Sequence, residues 1–170
     1  MKLDLGSGPN PRDGHVGVDL NPPDHPWGVC FRFGTGEPWP FADESVEALY
    51  SSHLIEHIPS GTALGRDTLA QFFEEAWRVA KPEATFFLRW PSIIDEETRQ
   101  WLPSAFFDPT HRRWIPREQM LYWSVQGRID LGVEQYDFRC NWVLERCAQA
   151  ALTTDRSVLE YQALLRKHPL

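Results

Sequence analysis

Short apolar runs separated by turn residues dominate the first half of the chain: Leu3–Leu5, Val16–Leu20, Val29–Phe33, Ala48–Ser51 and Thr85–Trp90. Runs of this length, bounded by Gly, Pro and Asp, predict buried parallel strands. Between Thr68 and Lys81 the apolar positions fall at Leu69, Phe72, Phe73, Ala76, Trp77 and Ala80, the spacing of one helix face. Thr68 and Gln71 fit a capping box at its start, and Lys81-Pro82 a stop at its end. Asp95 to Gly127 reads as partly helical, with Pro116 suited to a first helical turn. From Tyr136 to Leu144 the even positions are Tyr, Phe, Cys, Trp and Leu with mostly polar residues between, which predicts a half-buried antiparallel strand. Ser157-Val158-Leu159-Glu160 predicts a capping box that opens a final helix.

The connections narrow the architecture further. Pro9 to His15 is all that joins the first glycine turn to the second strand, a reach of roughly 24 Å when extended. That is enough to return along a short strand and too little for a crossover helix. The next link, 21–28, holds Pro22, Pro23 and Pro26 and is a poor helix. One face of the sheet is therefore expected to lack helices, and an apolar face cannot stay in water. The tryptophan-rich C-terminal half, or a second copy of the chain in a homodimer, is expected to cover it.

Composition adds limits. At 170 residues, with 42% hydrophobic and 24% charged residues, the chain reads as one globular domain. A net charge of −7 argues against bulk binding to phosphate backbones. Cys30, Cys140 and Cys147 have no metal-ligand or Cys-x-x-Cys spacing, which fits reduced thiols and a cytoplasmic protein. No leader pattern is read, and no apolar run is long enough for a membrane helix.

The chemistry concentrates near the start. Leu3-Asp4-Leu5-Gly6-Ser7-Gly8 and Val16-Gly17-Val18-Asp19-Leu20-Asn21 give strand, glycine turn, strand, acid, a layout suited to a nucleotide. Three ordered blocks then resemble the class I S-adenosylmethionine-dependent methyltransferases: these two motifs, the stretch from Glu37-Pro38-Trp39-Pro40-Phe41 through Tyr50-Ser51-Ser52-His53-Leu54-Ile55-Glu56-His57-Ile58, and Glu74-Glu75-Ala76-Trp77-Arg78-Val79-Ala80-Lys81-Pro82. The resemblance covers roughly residues 3 to 92 and is that of a minimal, N-terminally truncated form. It implies an α/β, Rossmann-like mixed sheet, mostly parallel with an antiparallel C-terminal strand and helices reduced on one face. Residues 1–92 would form the cofactor core, 93–128 an acceptor-site cover and 129–170 the C-terminal strand or strands and helix. It also implies S-adenosylmethionine as cofactor, held by Asp4, Leu5, Gly6, Ser7, Gly8, Asp19, Leu20, Asn21, Asp43, Ser51, Ser52 and His53. Arg32 stands where many relatives place an acid for the adenine amine, and Asp43 is the candidate substitute.

Two histidines are candidate catalytic bases: His53, at the end of the fourth strand, and His111, in Asp108-Pro109-Thr110-His111, which resembles an acceptor-covering segment of related proteins. Arg112, Arg113 and Arg117 could hold an anionic acceptor, although a solvated charged face is the more common use of such residues. The aromatics from Trp90 to Trp123 suit a flat acceptor or a packed core. His53-x-x-Glu56-His57 has an inverted zinc-protease spacing, but no third ligand is evident, so no metal is assigned. The expected activity is methyl transfer to a small molecule or glycan. Alternatives are a non-catalytic module that binds S-adenosylmethionine or S-adenosylhomocysteine, and a metallohydrolase. Arg112-Arg113-Trp114 leaves sequence-specific nucleic acid or a protein open as acceptor.

Overall fold

The computed structural model describes residues 1–20, 28–63, 65–154 and 157–170. The apolar runs become parallel strands β1 (Lys2–Leu5), β2 (Val16–Asp19), β3 (Val29–Cys30) and β4 (Val46–Ser52). A small hairpin, β5 (Thr62–Ala63) and β6 (Arg66–Asp67), leads into helix α1 (Thr68–Val79) and then the long strand β7 (Ala80–Pro91). After a stretch of 3-10 turns come the short helix α2 (Val125–Leu131), β8 (Trp142–Ala151) and β9 (Leu159–Lys167). The main sheet has the order β3-β2-β1-β4-β7-β9-β8, parallel from β3 through β7, with β9 and β8 antiparallel. This is the Rossmann-like mixed sheet expected from the resemblance.

Three local expectations are corrected. Asp67, not Thr68, caps α1: its Oδ1 accepts from the Leu69 and Ala70 amides at 2.9 and 3.1 Å. The final helix is strand β9. Leu159, Tyr161, Ala163 and Leu165 alternate into the core opposite Trp90, Leu88 and Phe86 of β7. The same string also carries helical spacing, and the open edge of β7 decides for strand. The antiparallel strand starts later than predicted, at Trp142, because Tyr136 and Phe138 turn irregularly to place a ring against Trp123, 5.2 Å between the Phe138 and Trp123 centroids.

The core lies on the α1 side of the sheet. Leu3, Leu5, Leu49, Phe86 and Leu88 face Leu69, Phe72, Phe73 and Ala76. The aromatic C-terminal half joins this side. Trp123 stacks on Phe73 at 4.2 Å, Trp142 Nε1 donates to the Phe73 carbonyl at 3.0 Å, and Trp90 Nε1 donates to the Ile115 carbonyl at 2.7 Å. The tryptophans therefore do not cover the helix-poor face, contrary to expectation.

That face is not a plain apolar surface. Pro11 and Arg12 lie over β1 and β2, with the Arg12 amide donating to Asp4 Oδ2 at 2.7 Å. Beyond them a groove of about 580 Å³ runs along Ala48, Tyr50, Phe87, Arg89 and Gln162. Tyr50 and Phe87 stack at 5.6 Å, and the Arg12 guanidinium sits 4.6 Å above Tyr50. Arginine and tyrosine keep polar tips in water while their apolar bodies cover the strands, which makes this face tolerable in the monomer.

Candidate functional site

The carboxyl ends of parallel strands are where ligands gather in this class of sheet. Here β1 runs into Gly6-Ser7-Gly8, β2 ends at Asp19, and β4 ends at Ser51-Ser52 before His53. Gly6 (φ +71°) and Gly8 (φ +57°) both adopt the left-handed region, and a Cβ on Gly6 would stand 2.9 Å from Leu54 Cβ. The Gly6 amide donates to the Val18 carbonyl at 2.7 Å, and the Gly8 amide to Asp19 Oδ2 at 2.9 Å. The glycine turn and the second acid are thus one hydrogen-bonded unit. Asp4 lies beneath it, buried, and burial pushes its carboxyl pKa up despite the Arg12 amide and nearby cations.

A cleft of about 180 Å³ opens beside this unit, with Gly6, Asp19, Leu20, Phe31, Arg32 and His57 among its walls. It is smaller than the roughly 300–1,000 Å³ typical of ligand pockets, so it suits part of a nucleoside. Leu20 is 46% exposed and Phe31 is half-buried, giving a flat apolar surface for a base. Asn21 lies outside the described residues.

The other expected cofactor residues divide. Leu5 is a core side chain and offers backbone alone at this place. Ser7 Oγ donates to the Gly8 carbonyl at 3.1 Å, within the turn. Ser51 is fully buried and its Oγ has no hydrogen-bond partner among the described residues, while Ser52 is half-buried. Asp43 is a correction: it precedes β4, at the opposite end of that seven-residue strand, about 23 Å from its carboxyl end. There its Oδ1 pairs with Arg78 Nη1 at 2.5 Å, and it cannot replace the missing adenine acid.

His53 has φ +53° and lies between two carboxylates. Its Nδ1 is 3.2 Å from Glu56 Oε1, and its Nε2 is 3.1 Å from Glu160 Oε2. Glu160 is fully buried and is also gripped by Arg89 Nε and Nη2, at 2.8 and 2.9 Å. Pairing of Nδ1 with the Glu56 carboxylate, opposed by desolvation and helped by Glu160, raises the pKa of the His53 ring. A carboxylate beside each nitrogen favours the protonated ring, the form that has no lone pair for general-base work. Glu160 is a member of this site that local sequence concealed, since its string resembles a helix start.

His111 is brought against His57, ring centroids 4.8 Å apart, by a segment that folds across the 3-10 turn Ile55–His57. The Arg112 and Arg113 amides both donate to the Glu56 carbonyl, at 2.7 and 3.1 Å. The Arg113 guanidinium donates to the Ile58 and Pro59 carbonyls, Asp67 and Thr68, and Arg117 pairs with Glu96 at 3.0 Å. Of the three arginines offered for an anionic acceptor, these two are committed within the fold and Arg112 is exposed. The aromatics also divide: Trp90 and Trp123 are core, whereas Trp101, Phe107 and Trp114 are 68%, 76% and 60% exposed. Trp101 and Phe107 flank a groove of about 450 Å³ with Asp95, Thr98, Gln100 and Ser104.

Comparison with known proteins agrees with this geometry. Residues 15–88 match the family described as a methyltransferase domain. A SAM-dependent methyltransferase from Methanosarcina mazei superposes with a TM-score of 0.60 at 13% identity, over 98% of this chain and 91% of that one. A SAM-dependent methyltransferase from Archaeoglobus fulgidus gives 0.60 at 13%, over 98% and 85%. A protein from Haloferax volcanii, solved in complex with the Trm112 methyltransferase activator, gives 0.56 at 16%, over 99% and 82%. No curated protein matches the chain significantly. Among the described residues no helix is long and apolar enough to cross a membrane. Residues 15–88 are thus similar to a methyltransferase domain, and the chain as a whole shares the Rossmann-like fold of solved S-adenosylmethionine-dependent methyltransferases.

Proposed function

We propose that this chain transfers a methyl group from S-adenosylmethionine to a small molecule or glycan. The observation that carries the reading is the unit formed by Gly8 and Asp19 at the cleft where β1 and β2 end. The residues fit the cofactor: left-handed glycines expose backbone, Asp19 suits ribose hydroxyls, and Leu20 and Phe31 suit a base. The cofactor supplies a methyl group on a sulfonium, ready for displacement. The chain's own part is to bind, orient and exclude water. The groove between Trp101 and Phe107, rimmed by Asp95, Thr98 and Gln100, supports a glycan-like acceptor, since sugars pack apolar faces on aromatic rings and present hydroxyls at their edges.

Because His53 is clamped by Glu56 and Glu160, this reading favours an acceptor that already presents a nucleophilic lone pair. The same clamp favours a second reading, a non-catalytic S-adenosylmethionine- or S-adenosylhomocysteine-binding module. The three free cysteines suit a reducing compartment such as the cytoplasm. A homodimer, if formed, would use the Tyr50–Phe87 face, and a partner protein is the other occupant to test, as the Haloferax volcanii neighbour was solved with an activator.

Calorimetric titration with S-adenosylmethionine and S-adenosylhomocysteine is the deciding experiment. Saturable binding of both supports the cofactor reading, and no binding to well-folded protein defeats it. Incubation with the methyl-labelled cofactor and a cell extract then separates the two readings: label in an acceptor means turnover, and binding without label means the module.

A further inference from the structure

The segment that crosses the Ile55–His57 turn brings three lone-pair donors together. Glu56, His57 and His111 can each offer one ligand atom, all within 4.8 Å of one another. The trio shares Glu56 and His57 with the motif noted in the sequence but takes its third member from His111 rather than His53.

The hydrogen bonds around the two rings decide where their protons are. The Thr110 hydroxyl donates to Asp108 Oδ1 at 2.6 Å, so toward His57 Nδ1, 3.0 Å away, its oxygen can only accept. Nδ1 of His57 therefore carries a proton, and the neutral tautomer has its lone pair on Nε2. His111 Nδ1 faces the Ala105 carbonyl at 2.9 Å, which accepts and never donates, so Nδ1 carries a proton and the neutral tautomer has its lone pair on Nε2, 3.9 Å from Asp108 Oδ2. A second nitrogen bonded to a carbonyl or to a carboxylate-backed hydroxyl is the usual support of a metal-bound imidazole.

Glu56 adds the independent observation. It is 2% exposed, and among the described residues neither carboxylate oxygen accepts a hydrogen bond by geometry. Among the described residues its one ion contact is His53 Nδ1, 3.2 Å from Oε1. A buried carboxylate that accepts no hydrogen bond and has a single imidazole contact, beside two further imidazoles, has lone pairs to spare for a cation. Ligands on one tetrahedral zinc stand ~3.3 Å apart given bonds of about 2.0–2.1 Å, and modest side-chain rotation closes the remaining gap from 4.8 Å.

We propose that Glu56, His57 and His111 bind a first-row divalent cation, zinc foremost, that fastens residues 105–114 to the turn after β4. Two imidazoles and a carboxylate suit zinc over magnesium or calcium, which prefer all-oxygen shells. Because His57 also lines the cleft beside Gly6 and Asp19, the ion fixes one wall of that cleft. The site stands on its own donors and does not depend on methyl transfer.

The test uses the full chain, stripped with a chelator and reloaded with zinc chloride, with magnesium chloride as control. About one zinc per chain by elemental analysis, an upward thermal shift with zinc and none with magnesium are expected. His111→Ala and Glu56→Gln should each weaken zinc binding at least 100-fold by calorimetry, and Thr110→Val, which frees the His57 tautomer, about 10-fold. Cobalt(II) taken up in place of zinc should give a visible absorption band that His111→Ala abolishes. Circular dichroism of each stripped variant checks folding, and Thr110→Val and the cobalt spectrum carry the test if His111→Ala does not fold. Less than about one-tenth of an ion per chain after loading, or an affinity that the folded variants leave unchanged, overturns the proposal.

Discussion

The Gly8 amide donates to Asp19 Oδ2 at 2.9 Å, which ties the glycine turn after β1 to the acid that closes β2. Removing that carboxylate has two separable effects. Asp19→Ala leaves the Gly8 amide without its partner, which should cost about 1–3 kcal/mol of stability and abolish S-adenosylhomocysteine binding. Asp19→Asn keeps an acceptor for Gly8 and loses the charge, so it should melt close to the parent yet bind at least tenfold more weakly. Thermal melts beside calorimetry check the pair. An Asp19→Asn protein that binds as tightly as the parent would sink the ribose assignment.

Gly6 tests how tightly the turn is packed on the segment after β4. With φ +71° and Leu54 Cβ 2.9 Å from the place a methyl would occupy, Gly6→Ala meets both strain and collision. The expected loss is about 1–3 kcal/mol for the backbone, with more from the contact. Leu54→Ala in the same chain removes Cδ1 and Cγ, 3.0 and 3.2 Å from that place, but keeps Cβ, so it should recover a share of the contact loss and none of the strain. Urea unfolding of the single and double variants measures both, and additive losses would contradict the contact.

Glu160 holds Arg89 and His53 at once from a fully buried position. Glu160→Gln leaves the guanidinium and the imidazolium facing a neutral amide. Breaking one side of a buried ion pair typically costs 3–5 kcal/mol, and a loss of about that size is expected in urea. Arg89 is part-exposed, so the figure is an upper bound. A cost below about 1 kcal/mol would mean that solvent already screens the cluster.

The parallel half of this fold was legible because its information is local. Strand length, glycine turns and an amphipathic helix each show within a window of about a dozen residues. Leu69, Phe72, Phe73 and Ala76 mark their face of α1 by spacing alone, and they are buried as that spacing requires. The last strand was not legible. Leu159-Glu160-Tyr161-Gln162-Ala163-Leu164-Leu165 satisfies a helix period and a strand period together, and the choice is made by β7, far away in the chain. The same distance hid Glu160 from the candidate site. Asp43 failed for a different reason: its neighbours in sequence resemble a motif, while the turn places it at the wrong end of β4, beside Arg78.

The three thiols give a pH-dependent check on the packing. Burial pushes Cys147 up to about 11 and Cys140 up to about 12. At pH 8 a thiol with a pKa of about 11 is ionised to roughly one part in a thousand, and the thiolate is the reactive form. Cys30, on the surface, should therefore be alkylated by iodoacetamide alone in folded protein at pH 8. Raising the pH toward 10 should bring in Cys147 before Cys140. Mass spectrometry of the modified chain reads the order, and early labelling of Cys140 would show that its burial is transient.

The bonds from Glu160 to Arg89 and His53 span 71 and 107 positions in the chain. Contacts of that range close late, because chain entropy must be spent before they form. During synthesis, β1, β2, β4 and the glycine turn can assemble while β9 is still unmade. The charge cluster at the end of β4 cannot. Until β9 docks, the His53 ring lacks its Glu160 partner and the Arg89 guanidinium has no carboxylate to grip. A ligand that needs only the Gly8–Asp19 unit could then bind a partly folded chain, whereas one that needs an ordered His53 has to wait for the last strand.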